Sequence, residues 1–241
     1  MNMGLGYKIE RNDEGQRFCL NLGREDNMHG EDLGNYAYGM WPVVVFNVLI
    51  FSFFVISFMK PKGKVEWASM GVFVGFIVAL FTEMYGFPLT IYLLSAWMGK
   101  SYPVLNPFSH SHGHLWLVWL GLADSAWAMT VLHIVSNVMI FGGLYIIHEG
   151  WVLIHAAGGK RLVTEGIYVH MRHPQYTGMF LITLGFLLQW PSLLTLIMWP
   201  ILMFAYYRLA MKEEKDVEKI FPKQYEEYRK KVPAFIPKLG R

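Results

Sequence analysis

The chain has 241 residues, 54% hydrophobic and only 16% charged, with a mean hydropathy of +0.30. A soluble domain carries about a quarter charged residues, so these values exclude a disordered chain, a collagen and a disulfide-stapled module. Cys19, the single cysteine, cannot form an intramolecular disulfide, and the net charge of +3 matters less than where its 21 Lys/Arg and 18 Asp/Glu lie.

Composition predicts an all-α integral membrane protein. Residues 1–39 hold seven acids against four Lys/Arg and are rich in glycine, which reads as a polar, poorly ordered extension with no signal peptide. Met40–Met59 is twenty residues without a charge, enough to cross about 30 Å of hydrocarbon at about 1.5 Å per residue. Lys60, Lys62 and Lys64 follow. A second apolar run goes from Trp67 to Thr82, is interrupted by Glu83 and Pro88, and resumes to Met98. Residues 99–114 form a loop, and Leu115–Ala123 is a short apolar piece. Ser125–Ile147 is a third span with His133 near its middle. Residues 148–175 are polar. Tyr176–Tyr207 is thirty-two uncharged residues with Pro191 midway, too long for one straight span. It reads as a hairpin, Thr177–Trp190 and Ser192–Arg208. The stretches 87–98 and 115–123 are too short to cross and read as re-entrant or interfacial.

Loop charge sets orientation. Lys/Arg concentrate in 60–64, 160–172 and 208–241, and about five spans put all three on one side, the cytoplasm. The organisation expected is therefore an extension (1–39), a transmembrane region shaping an acceptor site (40–147) and a ligand-binding C-terminal region (148–241).

The polar stretch carries the chemistry. Glycines at 158, 159 and 166 let the backbone approach a ligand. Pro174 fixes the entry to the next helix and pushes His173 towards extended geometry. Arg172 is a permanent cation suited to a carboxylate, and His173 can donate or accept near neutral pH. The hairpin then returns the chain to the same membrane face at Arg208, Lys212, Glu213 and Glu214. Adjacent carboxylates there can hold an amino group or ribose hydroxyls. Taken one at a time, each of these residues reads equally as an interface anchor or a solvated helix end.

Together they resemble a family. Leu162-Val163, Gly166-x-Tyr168, Arg172-His173-Pro174-x-Tyr176-x-Gly178, a hairpin, Glu213-Glu214, Tyr225-x-x-Tyr228 and the closing Val232-Pro233-Ala234-Phe235-Ile236-Pro237 resemble, in order, the membrane methyltransferase superfamily of isoprenylcysteine carboxyl and phospholipid methyltransferases. The resemblance runs from about His155 to Pro237. It implies an S-adenosylmethionine-dependent methyltransferase with a cytoplasmic pocket closed over by the tail. By position, Leu162, Val163, Gly166 and Tyr168 would shape the pocket around the adenosyl part, His173 and Tyr176 would contact the methionine or sulfonium part, and Glu213 and Glu214 would bind polar groups. Pro174 and Gly178 belong to the same motif. Arg172 would face the cofactor carboxylate or the methyl acceptor. Arg172, His173 and Glu214 are the expected catalytic residues, with no metal. Arg208 departs from the pattern, standing five residues before Glu213 where relatives are expected to have an Arg four before the pair.

Methyl transfer from a sulfonium is an in-line displacement governed by positioning and charge compensation. A carboxylate or thiolate acceptor needs no base, whereas a neutral amine or thiol needs one, and His173 or Glu214 are the candidates. The expected partners are the bilayer and a lipophilic or small-molecule acceptor, not nucleic acid. Val217, Ile220, Phe221, Tyr225 and Tyr228 recur at helical spacing and read as a face lying on the membrane interface, with Pro222 breaking or restarting that helix. A different class, a metal-handling or transport protein, would use His110, His112 and His114 with the fifteen methionines and Glu83, although alternate-residue histidines in an exposed loop, with no Cys or acid close by in sequence, read first as solvated. Glu83, inside a span, is read as pairing with His133 or facing a substrate tunnel. His148 and His155 are read as opening the cofactor loop.

Overall fold

The computed structural model describes residues 7–11, 17–21, 38–59, 64–98 and 110–237. The chain divides into two units, Met1–Tyr36 and Ala37–Arg241. The first contains an antiparallel hairpin of β1 (Tyr7–Arg11) and β2 (Arg17–Asn21), with Ile9 opposite Cys19. The sequence reading foresaw no element there, because the strands are five residues each and surrounded by turn-forming residues.

The described residues of the second unit are helical, as the composition requires. The α-helices are α1 (Trp41–Met59), α2 (Lys64–Phe81), α3 (Leu89–Met98), α4 (Leu115–Trp119), α5 (Ala126–Ala157), α6 (Pro174–Gln189), α7 (Leu193–Ile220) and α8 (Pro222–Lys231). Three stretches are long and apolar enough to cross a membrane: Trp67–Gly86, Ala126–Ala157 and Leu193–Ile220. Trp41–Phe54 and the 16-residue α6 are apolar but shorter. Large side chains such as Phe53, Trp97, Val138 and Ile197 face outward, the pattern of a bundle dissolved in lipid.

Aromatic packing joins the first helices to the hairpin. Phe51 of α1, Phe81 of α2 and Phe186 of α6 meet with ring centroids 5.2–5.6 Å apart. The hairpin forms as expected. Trp190 and Pro191 make its turn, and Ser192 and Thr195 cap α7 reciprocally. α5 and α6 cross in direct backbone contact. A Cβ on Gly143 would stand 2.5 Å from the Gly178 carbonyl oxygen, and one on Gly178 would stand 2.6 Å from that of Gly143. Only hydrogen fits at that crossing.

Four expectations are corrected. α5 does not stop at Ile147 but runs ten residues further to Ala157, so His148 and His155 sit on a helix instead of opening a loop. A helix that has left the apolar layer can continue with polar residues projecting from it, which a hydropathy boundary does not register. α7 likewise continues past Arg208 to Ile220. Glu83 does not pair with His133. It sits in a π-helical turn (Thr82–Gly86) and accepts hydrogen bonds from Thr90 N at 2.9 Å and Thr90 Oγ1 at 2.8 Å. His133 instead bonds the Met129 carbonyl at 2.8 Å. Finally, His114 is not a solvated loop histidine. It is buried, donates from Nδ1 to Gln189 O at 2.7 Å and packs edge-on against Trp190, and burial lowers its pKa to about 4. The side chain of His110 lies outside the described residues. Among the described residues no group of three His, Cys, Asp or Glu is placed to hold a metal ion.

Candidate functional site

The site is assembled where α5, the 158–173 loop, α7 and the tail converge. α5 ends at Gly158. Gly166, with φ of +59°, opens a short 3-10 turn (Gly166–Val169) that turns Tyr168 inward. Pro174 at the first position of α6 ends the loop, with His173 as the residue before the helix.

The tail holds the Arg172-His173 turn in place. The Arg172 N–H donates to Pro233 O and the His173 N–H to Ala234 O, both at 2.9 Å. The Thr177 hydroxyl donates to Phe235 O at 2.9 Å. The Phe235 ring stacks on the His173 imidazole, centroids 5.4 Å apart. These contacts strap residues 233–235 across the Arg172-His173 turn.

Glu214 is the electrostatic centre. It is 4% exposed. Its Oε1 accepts from Arg172 Nη2 and His173 Nε2, each at 2.9 Å, and Arg229 Nε lies 3.9 Å from Oε2. A buried carboxylate is costly unless so paired. Arg172 also donates from Nη1 to Arg229 O at 3.1 Å, while its buried Nε has no hydrogen-bond partner among the described residues. Glu213 accepts from the Tyr176 hydroxyl at 2.7 Å. Tyr228 donates to Tyr168 O at 2.6 Å, and Tyr168 to Gly150 O at 3.3 Å. Burial pushes the Tyr168, Tyr225 and Tyr228 phenols above their ordinary value, and the Glu214 carboxylate adds to this at Tyr225 and Tyr228. All three are neutral hydroxyls at physiological pH.

These groups surround a cavity of about 250 Å³. Of the residues expected from sequence, Leu162, Val163, Tyr168, Arg172, His173, Pro174, Tyr176, Glu213 and Glu214 line it. Gly166 and Gly178 do not. Gly166 shapes the turn before Tyr168, and Gly178 lets α6 meet α5. Arg208 is also absent from the lining; its guanidinium lies over the Phe204 ring, 5.9 Å from the centroid. Sequence reasoning missed Ile154 and Ala157, which reach the cavity because α5 is longer than its apolar stretch. It also gave Val217, Ile220, Phe221, Tyr225 and Tyr228 to the membrane interface, whereas they line the cavity. Their helical spacing was legible, but periodicity identifies an apolar face without saying what covers it. Arg229 was missed because an Arg in a charged tail carries no local signal.

The mixture suits a ligand with an apolar ring system at one end and charged groups at the other. Leu162, Val163, Ile220 and Phe221 offer apolar walls. Glu213, Glu214 and Arg172 place both signs of charge on its lining.

Residues 116–224 match the phospholipid methyltransferase family. The chain is 32% identical over 98 residues to a protein-S-isoprenylcysteine O-methyltransferase of Schizosaccharomyces pombe, a match covering 38% of this chain and 42% of that protein. It is 31% identical over 78 residues to protein-S-isoprenylcysteine O-methyltransferase B of Arabidopsis thaliana, covering 32% and 40% respectively. A probable protein-S-isoprenylcysteine O-methyltransferase of Oryza sativa subsp. indica is 28% identical over 87 residues, 36% of this chain and 46% of that protein. The chain thus matches less than half the length of these curated relatives.

Proposed function

We propose that this chain, whose residues 116–224 carry the sequence of the membrane methyltransferase superfamily, is an S-adenosylmethionine-dependent enzyme that methylates a lipophilic acceptor through a carboxylate or thiolate. The observation that carries the reading is the buried Arg172–His173–Glu214 cluster, with an unpartnered Arg172 Nε, on a cavity that also presents Glu213. That donor set fits S-adenosylmethionine. Leu162, Val163, Ile220 and Phe221 would enclose the adenine. Glu213 would take ribose hydroxyls or the amino group, with Tyr176 holding its carboxylate in place. Tyr168 would wall the adenosyl part, and His173 would adjoin the sulfonium end beside Pro174. When bound, this cofactor supplies a methyl group on a positively charged sulfur.

The chain's own residues then position and screen. Arg172, on the cavity lining, would supply positive charge to a carboxylate, of the cofactor or of the acceptor. Glu214 fixes the Arg172 guanidinium and the His173 ring against the same oxygen, so neither can swing away. The 233–235 strap holds this turn in place through the Arg172 and His173 backbone N–H groups. An anionic acceptor requires no proton transfer. The names of the curated relatives favour an S-prenylated cysteine carboxylate as that acceptor. Every residue lining the cavity lies between 154 and 228, which supports a division into a ligand-binding region (148–241) and an acceptor-shaping region (40–147).

The family match favours a second acceptor, a phospholipid amine. A neutral amine must lose a proton, and the His173–Glu214 pair is placed to accept one.

Calorimetric titration of the detergent-purified chain with S-adenosylmethionine and its demethylated product tests the cofactor. Micromolar binding to wild type, lost in Glu214→Ala and His173→Ala with helical content intact, is the expected result. No binding to folded wild type overturns the proposal. Incubation with methyl-labelled cofactor and either a prenylated cysteine or a phosphatidylethanolamine then separates the two acceptors.

A further inference from the structure

Among the described residues the cavity lining carries two guanidinium groups, Arg161 and Arg172, in opposite surroundings. The Arg172 side chain is 10% exposed, and both its terminal nitrogens are taken, Nη2 by Glu214 Oε1 and Nη1 by the Arg229 carbonyl. Its charge is answered inside the protein. Arg161 stands on the loop that follows α5, where Gly159 and Lys160 are exposed to water. Its side chain is 52% exposed and pairs with Glu165, itself 54% exposed. Glu165 belongs to the same loop but does not line the cavity. An exposed pair of this kind contributes little to stability, so another anion can take its place at small cost.

The lining also carries two carboxylates, Glu213 and Glu214. A further carboxylate entering this cavity meets like charge, and it is stable only against a cation that those groups do not already neutralise. Arg172 is neutralised by Glu214 at 2.9 Å. Arg161 is not, because its partner lies off the lining and can be left to water. A guanidinium matches a carboxylate in shape as well as charge.

We infer that Arg161 holds the amino-acid carboxylate of the methyl donor, exchanging Glu165 for it. Access selects the donor as the source of that carboxylate. The donor is water-soluble and reaches the cavity from the aqueous side, where Arg161 is exposed, whereas a lipophilic acceptor comes from the bilayer. Arg161 immediately precedes the Leu162-Val163 motif and is not part of it. The inference rests on the cofactor reading of this cavity and adds a positioning residue to it.

The test is calorimetric titration of the detergent-purified full chain with S-adenosylmethionine and with decarboxylated S-adenosylmethionine, which keeps the sulfonium and the amine and lacks the carboxylate. Arg161→Gln should weaken S-adenosylmethionine about 5- to 30-fold, the range of a charged hydrogen bond reduced by exposure. It should leave the decarboxylated donor unweakened, and Arg161→Lys should keep part of the affinity. Glu165→Gln removes the competing anion and should tighten S-adenosylmethionine, a gain that a merely structural Arg161–Glu165 pair does not produce. Both side chains are half exposed, and helical content by circular dichroism checks that the variants fold. An Arg161→Gln variant that binds both donors as wild type does, or loses both alike, overturns the inference and leaves the cofactor reading standing. Unchanged donor affinity with a raised KM for a carboxylate acceptor also overturns it. A folded wild type that binds neither donor removes the cofactor reading and this inference with it.

Discussion

One carboxylate oxygen, Glu214 Oε1, receives both Arg172 and His173 at 2.9 Å. Removing it leaves a buried guanidinium uncompensated. Glu214→Ala is therefore expected to destabilise the fold by about 3–5 kcal/mol, read as a lowered denaturant midpoint. Tyr176→Phe deletes one hydrogen bond to Glu213 and should cost about 1 kcal/mol, roughly fivefold in cofactor affinity by calorimetry, with Arg172 and Glu214 undisturbed. The buried phenols give a pH signature. Tyr168, Tyr225 and Tyr228 hold their protons more tightly when folded, chiefly through burial. Their contribution to stability is fully present below the ordinary phenol value of about 10 and is lost as pH rises from there towards the folded-state values. Melting temperature should fall above about pH 10, less steeply in Tyr168→Phe; an identical alkaline slope in that variant would disprove the assignment. At this scale the sequence was legible where residue types are chemically distinctive. Arg172, His173, Glu213 and Glu214 stood out, while Arg229, whose Nε lies 3.9 Å from Glu214 Oε2, did not.

Among the elements, the tail strap and the α5–α6 crossing make opposite kinds of contact. The strap combines backbone hydrogen bonds with the Phe235 ring stacked on His173, so both its path and that side chain matter. Deleting residues 232–241 should lower cofactor affinity at least tenfold, measured by titration, while leaving circular dichroism nearly unchanged. The crossing is steric. Gly143→Leu places a side chain where Gly178 O already stands 2.5 Å from a Cβ position. The two helices must separate, and thermal stability should drop by more than the 1–3 kcal/mol typical of overpacking. The hairpin was readable because thirty-two uncharged residues with a central proline admit few other paths. The true end of α5 was not readable. Hydropathy marks where a helix leaves the apolar layer, and helix termination at Gly158 follows from backbone geometry ten residues later.

For the molecule as a whole, the Lys/Arg-rich segments set an expected orientation with the cavity on the cytoplasmic side. In a Cys19→Ser background, a cysteine at Lys223 should react with an impermeant maleimide only after cells are opened to the cytoplasm, and one at Asp124 from the outer face. The reverse pattern would refute the topology.

The sequence by itself determined the helical membrane class, the hairpin and the ordered motif from Leu162 to Glu214, because each depends on composition, length or distinctive chemistry along the chain. Tertiary structure alone decided that Glu83 answers Thr90 and not His133, that His114 lies buried against Trp190, and that the tyrosines of α8 line the cavity. Those outcomes depend on which surface each helix meets, and no periodicity within a helix encodes its partner.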